Sequence, residues 1–172
     1  MPKRSDSGEG GGGGRRPLAL NLRLVIFSLA FLRVFLGVKF LLAAATKWNW
    51  LGTPRLENML TGWAKNAMWE PYGLFLSQSI LPHASLFTYL VFFGELTVGL
   101  LLTLGLFSRA AALVGMFLNA NFLLATWHLG GASQGVNQAF LAMEFATLLT
   151  GAGRVYGLDA RLARKRPGWI LW

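Results

Sequence analysis

Between Ala84 and Phe107 the chain carries one charged residue, Glu95, and between Leu24 and Thr46 only Arg33 and Lys39. Apolar runs this long constrain the fold more than any other feature. A helix over 24–46 is about 34 Å long at about 1.5 Å per residue, enough to cross a hydrocarbon core of about 30 Å. Two further apolar stretches follow, so the sequence predicts membrane spans at about 24–46, 84–107, 110–127 and 136–153. Ser108-Arg109 leaves room only for a tight turn, and the Gly-rich segment after His128 only for a short loop. Short connections force antiparallel neighbours. The expected fold is therefore all-α, an integral membrane four-helix up-down bundle. A cleavable signal peptide competes for the first span, with Ala43-Ala44-Ala45 as its cleavage site. The run is too long for an h-region and holds two internal cations, which favours the span.

The chain divides into a Gly-rich basic tail over 1–16, a membrane domain over 17–160 and a basic interfacial tail over 161–172. The first tail has too few apolar residues to order itself. Composition agrees with a bilayer protein: 54% of residues are apolar and 13% charged, about half the charged share of a soluble domain. The net charge of +9 lies at the ends of apolar stretches, where it reads as topology and not as a nucleic-acid footprint. One side of the predicted membrane receives Lys3, Arg4, Arg15, Arg16, Arg23, Arg109, Arg154, Arg161, Arg164, Lys165 and Arg166. The other receives Lys47, Arg55 and Lys65. Basic loops stay inside, so both termini and the Ser108-Arg109 turn are expected to be cytoplasmic.

The long outer connection between Lys47 and His83 holds Trp48, Trp50, Trp63, Trp69 and Tyr72, residues suited to the interface. Leu56, Met59, Leu60 and Trp63 recur at helical spacing after Pro54, which predicts a short amphipathic helix on the outer surface. Tyr72 to Leu81 suits a second such segment. At the inner end, Leu158 to Arg166 reads as a basic surface helix with Trp169 and Trp172 as anchors.

Four charges fall inside spans: Arg33, Lys39, Glu95 and Glu144. Each costs about 2.5–3.5 kcal/mol at a span centre, so partners are expected. Counting residues from the inner ends puts Arg33, Glu95 and Glu144 near one depth, which predicts a buried network pairing Arg33 with Glu95 or Glu144. Arg33, Gly37, Phe40, Ala44 and Lys47 share one helical stripe, Asn137, Glu144 and Gly151 recur every seven residues, and Gly115 stands one turn from Asn119. A structural ion-pair core and a functional site explain these residues equally well. Toward the outer face, Lys39, Lys47, Asn49, Trp127, His128 and Asn137 form a second polar set suited to an anion or a quinone headgroup. Snorkelling of Lys47 and interfacial anchoring of Trp127 account for some of the same residues. The chain has no Cys and only two histidines, His83 and His128, so no thiolate site, histidine metal cluster or cysteine nucleophile is expected.

The motifs resemble one family. Arg33-Val-Phe-Leu-Gly37 with Phe40, Ala44 and Lys47 is similar to the first-helix pattern of the DoxX family. Gly94-Glu95-Leu-Thr-Val-Gly99, then Leu104-Gly105-Leu106-Phe107-Ser108-Arg109, resembles its second-helix run. Gly151-Ala152-Gly153-Arg154 with Gly157-Leu158-Asp159 resembles its closing segment. The Trp-bearing outer loop and the Gly-Leu-Asp ending look most like the DoxD branch, the small subunit of thiosulfate:quinone oxidoreductase. Lys39 at an otherwise apolar position and Ala44 in place of Gly depart from the pattern.

The resemblance implies a multi-pass protein of the plasma (inner) membrane, a subunit of a redox complex that oxidises thiosulfate to tetrathionate and passes electrons to a quinone, with no covalently bound cofactor. Lys47, with Lys39 behind it, would attract the anion, and Glu144 or His128 would exchange quinone protons. The implied partners are the lipid bilayer and a second redox subunit, with self-association open and no nucleic acid. A non-catalytic assembly or scaffold subunit is the alternative, since the intramembrane charges can cancel internally. The catalytic residues stay unassigned at this stage.

Overall fold

The computed structural model of the chain describes residues 16–165. Among these, the elements are α1 (Arg16–Lys47), α2 (Arg55–Lys65), α3 (Glu70–Phe75), α4 (Ala84–Leu104), α5 (Ser108–Ala125), α6 (Gly131–Thr150) and α7 (Asp159–Lys165), joined by short helical turns and with no strand. The all-α expectation holds for the described residues. Of the 1–16 tail only Arg16 is described, and Trp169 and Trp172 lie outside the described residues.

The four long helices pack in a closed order, α1 on α4, α4 on α5, α5 on α6 and α6 back on α1. Small residues permit the closest approach. A Cβ on Gly37 would sit 2.6 Å from the Thr103 backbone nitrogen, and one on Gly99 would sit 2.8 Å from the Leu41 nitrogen. The backbones of α1 and α4 therefore touch, as in small-residue contacts between membrane helices. Around that contact Leu36, Phe40, Val98, Leu102 and Ala111 form a buried core.

The α4–α5 connection shows why the turn is so short. Gly105 adopts φ 65°, a left-handed conformation that ends α4, and Leu106 N–H reaches back to the Leu101 carbonyl at 2.9 Å. Phe107 follows at φ 48°, a strained position for a residue with a side chain.

Among the described residues, three helical runs are long and apolar enough to cross a membrane: Asn21–Trp50, Glu70–Leu104 and Ser108–Ala125. The second run thus continues back from α4 through α3 to Glu70. The fourth expected span, α6, has 20 residues, about 30 Å of helix, but Ser133, Gln134, Asn137 and Gln138 make its first turns too polar to qualify. Outward surfaces are apolar, with Phe31, Phe93 and Phe117 more than half exposed. A soluble domain rarely shows so much exposed aromatic surface, and lipid is its natural partner.

The segment between α1 and α4 caps one end. Leu56, Leu60 and Trp63 of α2 are buried with Leu76, Ala84 and Ala125. The predicted amphipathic helix exists, but its apolar face rests on the protein's own helix ends and not on lipid. The basic C-terminal helix also forms as α7, yet Asp159 at its start is fully buried, which a simple surface helix does not require.

Candidate functional site

A side chain on an α-helix leans toward the helix N-terminus. On α1 this moves the charges of Arg33 and Lys47 away from the depth of their Cα atoms. Arg33 reaches back toward the end where α1 begins, where Nη1 donates to the carbonyls of Ala152 at 2.9 Å and Val155 at 3.3 Å. Lys47, at the last turn of α1, leans inward, and its Nζ meets both Glu95 oxygens at 2.7 Å. The expected pairing of Arg33 with Glu95 or Glu144 is therefore corrected. Residue counting placed the Cα atoms in depth and ignored the reach of two long side chains. Glu95 pairs with Lys47, and Glu144 pairs with an amide.

Arg33 belongs to a buried junction assembled from the three motif segments. Asp159, 0% exposed, accepts the N–H of Phe107 at 2.7 Å through Oδ1. Its Oδ2 accepts the N–H of Ser108 at 2.9 Å and the Ser108 hydroxyl at 2.7 Å. The Gly153 N–H donates to the Ser108 hydroxyl oxygen at 3.1 Å, and the Asp159 N–H donates to the Gly105 carbonyl at 2.8 Å. A carboxylate at the start of α5 satisfies amides that the helix leaves unpaired and holds Phe107 in its strained conformation. Asp159 is also the negative charge that acts on the Arg33 guanidinium. Gly105 and Gly157 leave the space that the guanidinium fills. This cluster is architecture, and it draws residues from all three motif segments.

Glu144 is 0% exposed and lies between α5 and α6. Its Oε1 accepts the Asn119 amide at 2.5 Å, while Oε2 has no hydrogen-bond partner. Gly115 makes the room, since a Cβ there would stand 2.7 Å from Oε1. The stripe of Asn137, Glu144 and Gly151 does face the protein interior, but it does not join Arg33.

Near the α2 end, a cavity of about 260 Å³ opens between α1, α5 and α6. Lys39, Lys47, Glu95, Asn119, Ser133 and Asn137 supply its polar groups, and Phe40, Trp50, Trp63, Phe122 and Phe140 its aromatic walls. Lys47 Nζ lies 5.4 Å from the Trp50 ring centre and 5.5 Å from that of Phe122, within cation–π range. Lys39 is exposed and sits 5.7 Å from the Phe35 ring. Mostly apolar walls with a few placed polar groups are the usual make-up of a small-ligand site.

Of the predicted outer set, Lys39, Lys47 and Asn137 come together in this cavity, whereas Asn49, Trp127 and His128 do not line it. The chain turns at Trp127–Leu129 before α6, and His128 is carried to the surface. What Trp127 contributes is a carbonyl that accepts the Gln134 amide at 2.8 Å. Ser133 lines the cavity although it is not in that set, and Trp50 and Trp63 of the outer connection line it as well. Asn119 had a visible signal as the one Asn one turn from Gly115 in an apolar run, but nothing in its spacing named Glu144 as its partner. Among the described residues no group of three His, Cys, Asp or Glu side chains is placed to hold a metal ion.

Apolar outward faces, three membrane-length helices and a buried polar cavity define a helical membrane protein. The model of one family, described as TQO small subunit DoxD, matches residues 27–171. The chain belongs to the DoxD family, as the three motif segments lead one to expect. No curated protein and no solved structure matches it.

Proposed function

We propose that the chain is a multi-pass plasma-membrane subunit of a thiosulfate:quinone oxidoreductase complex, with α6 as a fourth span and both termini cytoplasmic. The observation that carries this reading is the cavity, in which Lys39, Lys47 and Asn137 meet under Trp50 and Trp63. Family membership supplies the reaction class. Two thiosulfate ions join through a new S–S bond to give tetrathionate and release two electrons, and the quinone takes these with two protons to become the quinol. Without Cys in the sequence, no thiol of this chain relays electrons, and a larger partner subunit is the natural carrier of any relay group.

Residues of the cavity fit a quinone head, since aromatic walls can stack on a ring and Lys39 and Asn137 can donate to its oxygens. Lys47 is a poor first choice for a variant that tests binding, because its loss strands Glu95. Lys39 has no acidic partner among the described residues, so Lys39→Ala removes the cation without uncovering another charge. The experiment is thiosulfate-dependent quinone reduction by the purified protein, alone and with its co-purifying subunits. Turnover that falls at least tenfold in Lys39→Ala supports the reading, and equal turnover in both removes the cavity from the reaction.

The second reading, a non-catalytic assembly subunit, draws on the Lys47–Glu95 pair. Two charges that cancel at 2.7 Å serve packing as well as binding. Absence of turnover from a folded protein with its partners present would favour it.

A further inference from the structure

The cavity's own charges bear on which reactant it receives. Its lining holds two cations, Lys39 and Lys47, and one carboxylate, Glu95. Two of the three Lys47 donors are engaged by Glu95, so the pair is neutral as a unit and Lys39 alone is uncompensated. A thiosulfate dianion would leave the site with net negative charge against aromatic walls, after losing its hydration. A neutral head with carbonyl oxygens incurs no such penalty.

The opening points the same way. Lys39 both lines the cavity and is exposed. Its neighbours on α1, Phe35, Val38 and Leu42, are 41%, 41% and 56% exposed, so the mouth lies on an apolar flank of the helix array. The end of the cavity is covered, with Trp63 only 9% exposed. In a membrane, an apolar flank faces lipid and not water.

We propose that the cavity receives the lipid-borne electron acceptor, its carbonyl-bearing head inserted sideways past Lys39, and that thiosulfate binds elsewhere in the complex. This inference rests on the redox reading above. Lys39 is the donor at the mouth. The remaining Lys47 N–H and the Asn137 amide hydrogen not given to Ser133 are the donors further in.

The test is binding of decylubiquinone to the full chain in lipid nanodiscs, followed by quenching of tryptophan fluorescence, since Trp50 and Trp63 line the site. Saturable quenching is expected, unchanged by excess sodium thiosulfate. Ala43→Phe, which fills the cavity from α1, should weaken it at least tenfold, and Lys39→Gln several-fold. Circular dichroism and gel filtration report whether Ala43→Phe folds; if it does not, Asn137→Leu must show the same loss. Displacement by thiosulfate, or wild-type binding in the folded cavity variant, overturns the inference. Turnover without binding here overturns this assignment alone, whereas no thiosulfate-dependent turnover overturns the redox reading beneath it.

Discussion

Asp159→Ala should unfold the end of the molecule where the three motif segments meet. The substitution removes an acceptor used by Phe107 N–H, Ser108 N–H and the Ser108 hydroxyl at 2.7–2.9 Å. Hydrogen bonds to a charged group contribute about 1.5–3 kcal/mol each, but they share one carboxylate and do not add. Arg33, 1% exposed, also loses the negative charge that acts on it. Leaving these buried donors without an acceptor costs about 1–3 kcal/mol each, less than additively, so about 3–5 kcal/mol is the expected loss. At about 2–4 °C per kcal/mol for a chain of this size, the melting temperature should fall by about 6–20 °C. Helical signal against temperature in a mild detergent measures it. Asp159→Asn keeps one acceptor for Phe107 but turns a donor toward Ser108, so its loss should be smaller than that of the alanine variant. Arg33→Met should cost less in the Asp159→Ala background than in the wild type, because the two act on each other. A fall below about 2 °C for Asp159→Ala, under about 1 kcal/mol on that scale, would refute the junction as a stabilising element.

Two other perturbations follow from the packing. Lys47→Ala leaves the Glu95 carboxylate buried without its cation, which should destabilise by about 3–5 kcal/mol, while Lys47→Met with Glu95→Leu should recover most of the loss; detergent unfolding of the three proteins checks this, and no recovery in the double variant contradicts it. Gly37→Leu drives a side chain into the Thr103 backbone 2.6 Å away, so α1 and α4 must separate at a cost of about 1–3 kcal/mol; proteolysis in nanodiscs should show it, and wild-type resistance would contradict the close contact.

Periodicity and charge made the helices legible because a span needs many apolar residues in sequence. The stripe from Arg33 to Lys47 was readable for the same reason, and Arg33, Phe40 and Ala44 are indeed buried. Pairing was not readable. Arg33 and Lys47 carry side chains several ångströms long that lean along α1, so the depth of a Cα does not give the depth of a charge. Asp159 was hidden differently. It stands at the start of a short basic helix, and only the fold brings it to the Phe107–Ser108 turn. Trp127 and His128 misled because interfacial residue types say nothing of which way a loop turns.

The most direct measurement is thiosulfate-dependent quinone reduction by the purified protein with its co-purifying subunits, wild type beside Lys39→Ala. Lys39 has no acidic partner among the described residues, so its removal strands no buried charge, and circular dichroism of the variant separates lost turnover from unfolding. Turnover in the wild type and a fall of at least tenfold in the variant are expected. Equal turnover in both proteins, or none in a folded wild-type complex, contradicts the role of the cavity in a thiosulfate:quinone oxidoreductase.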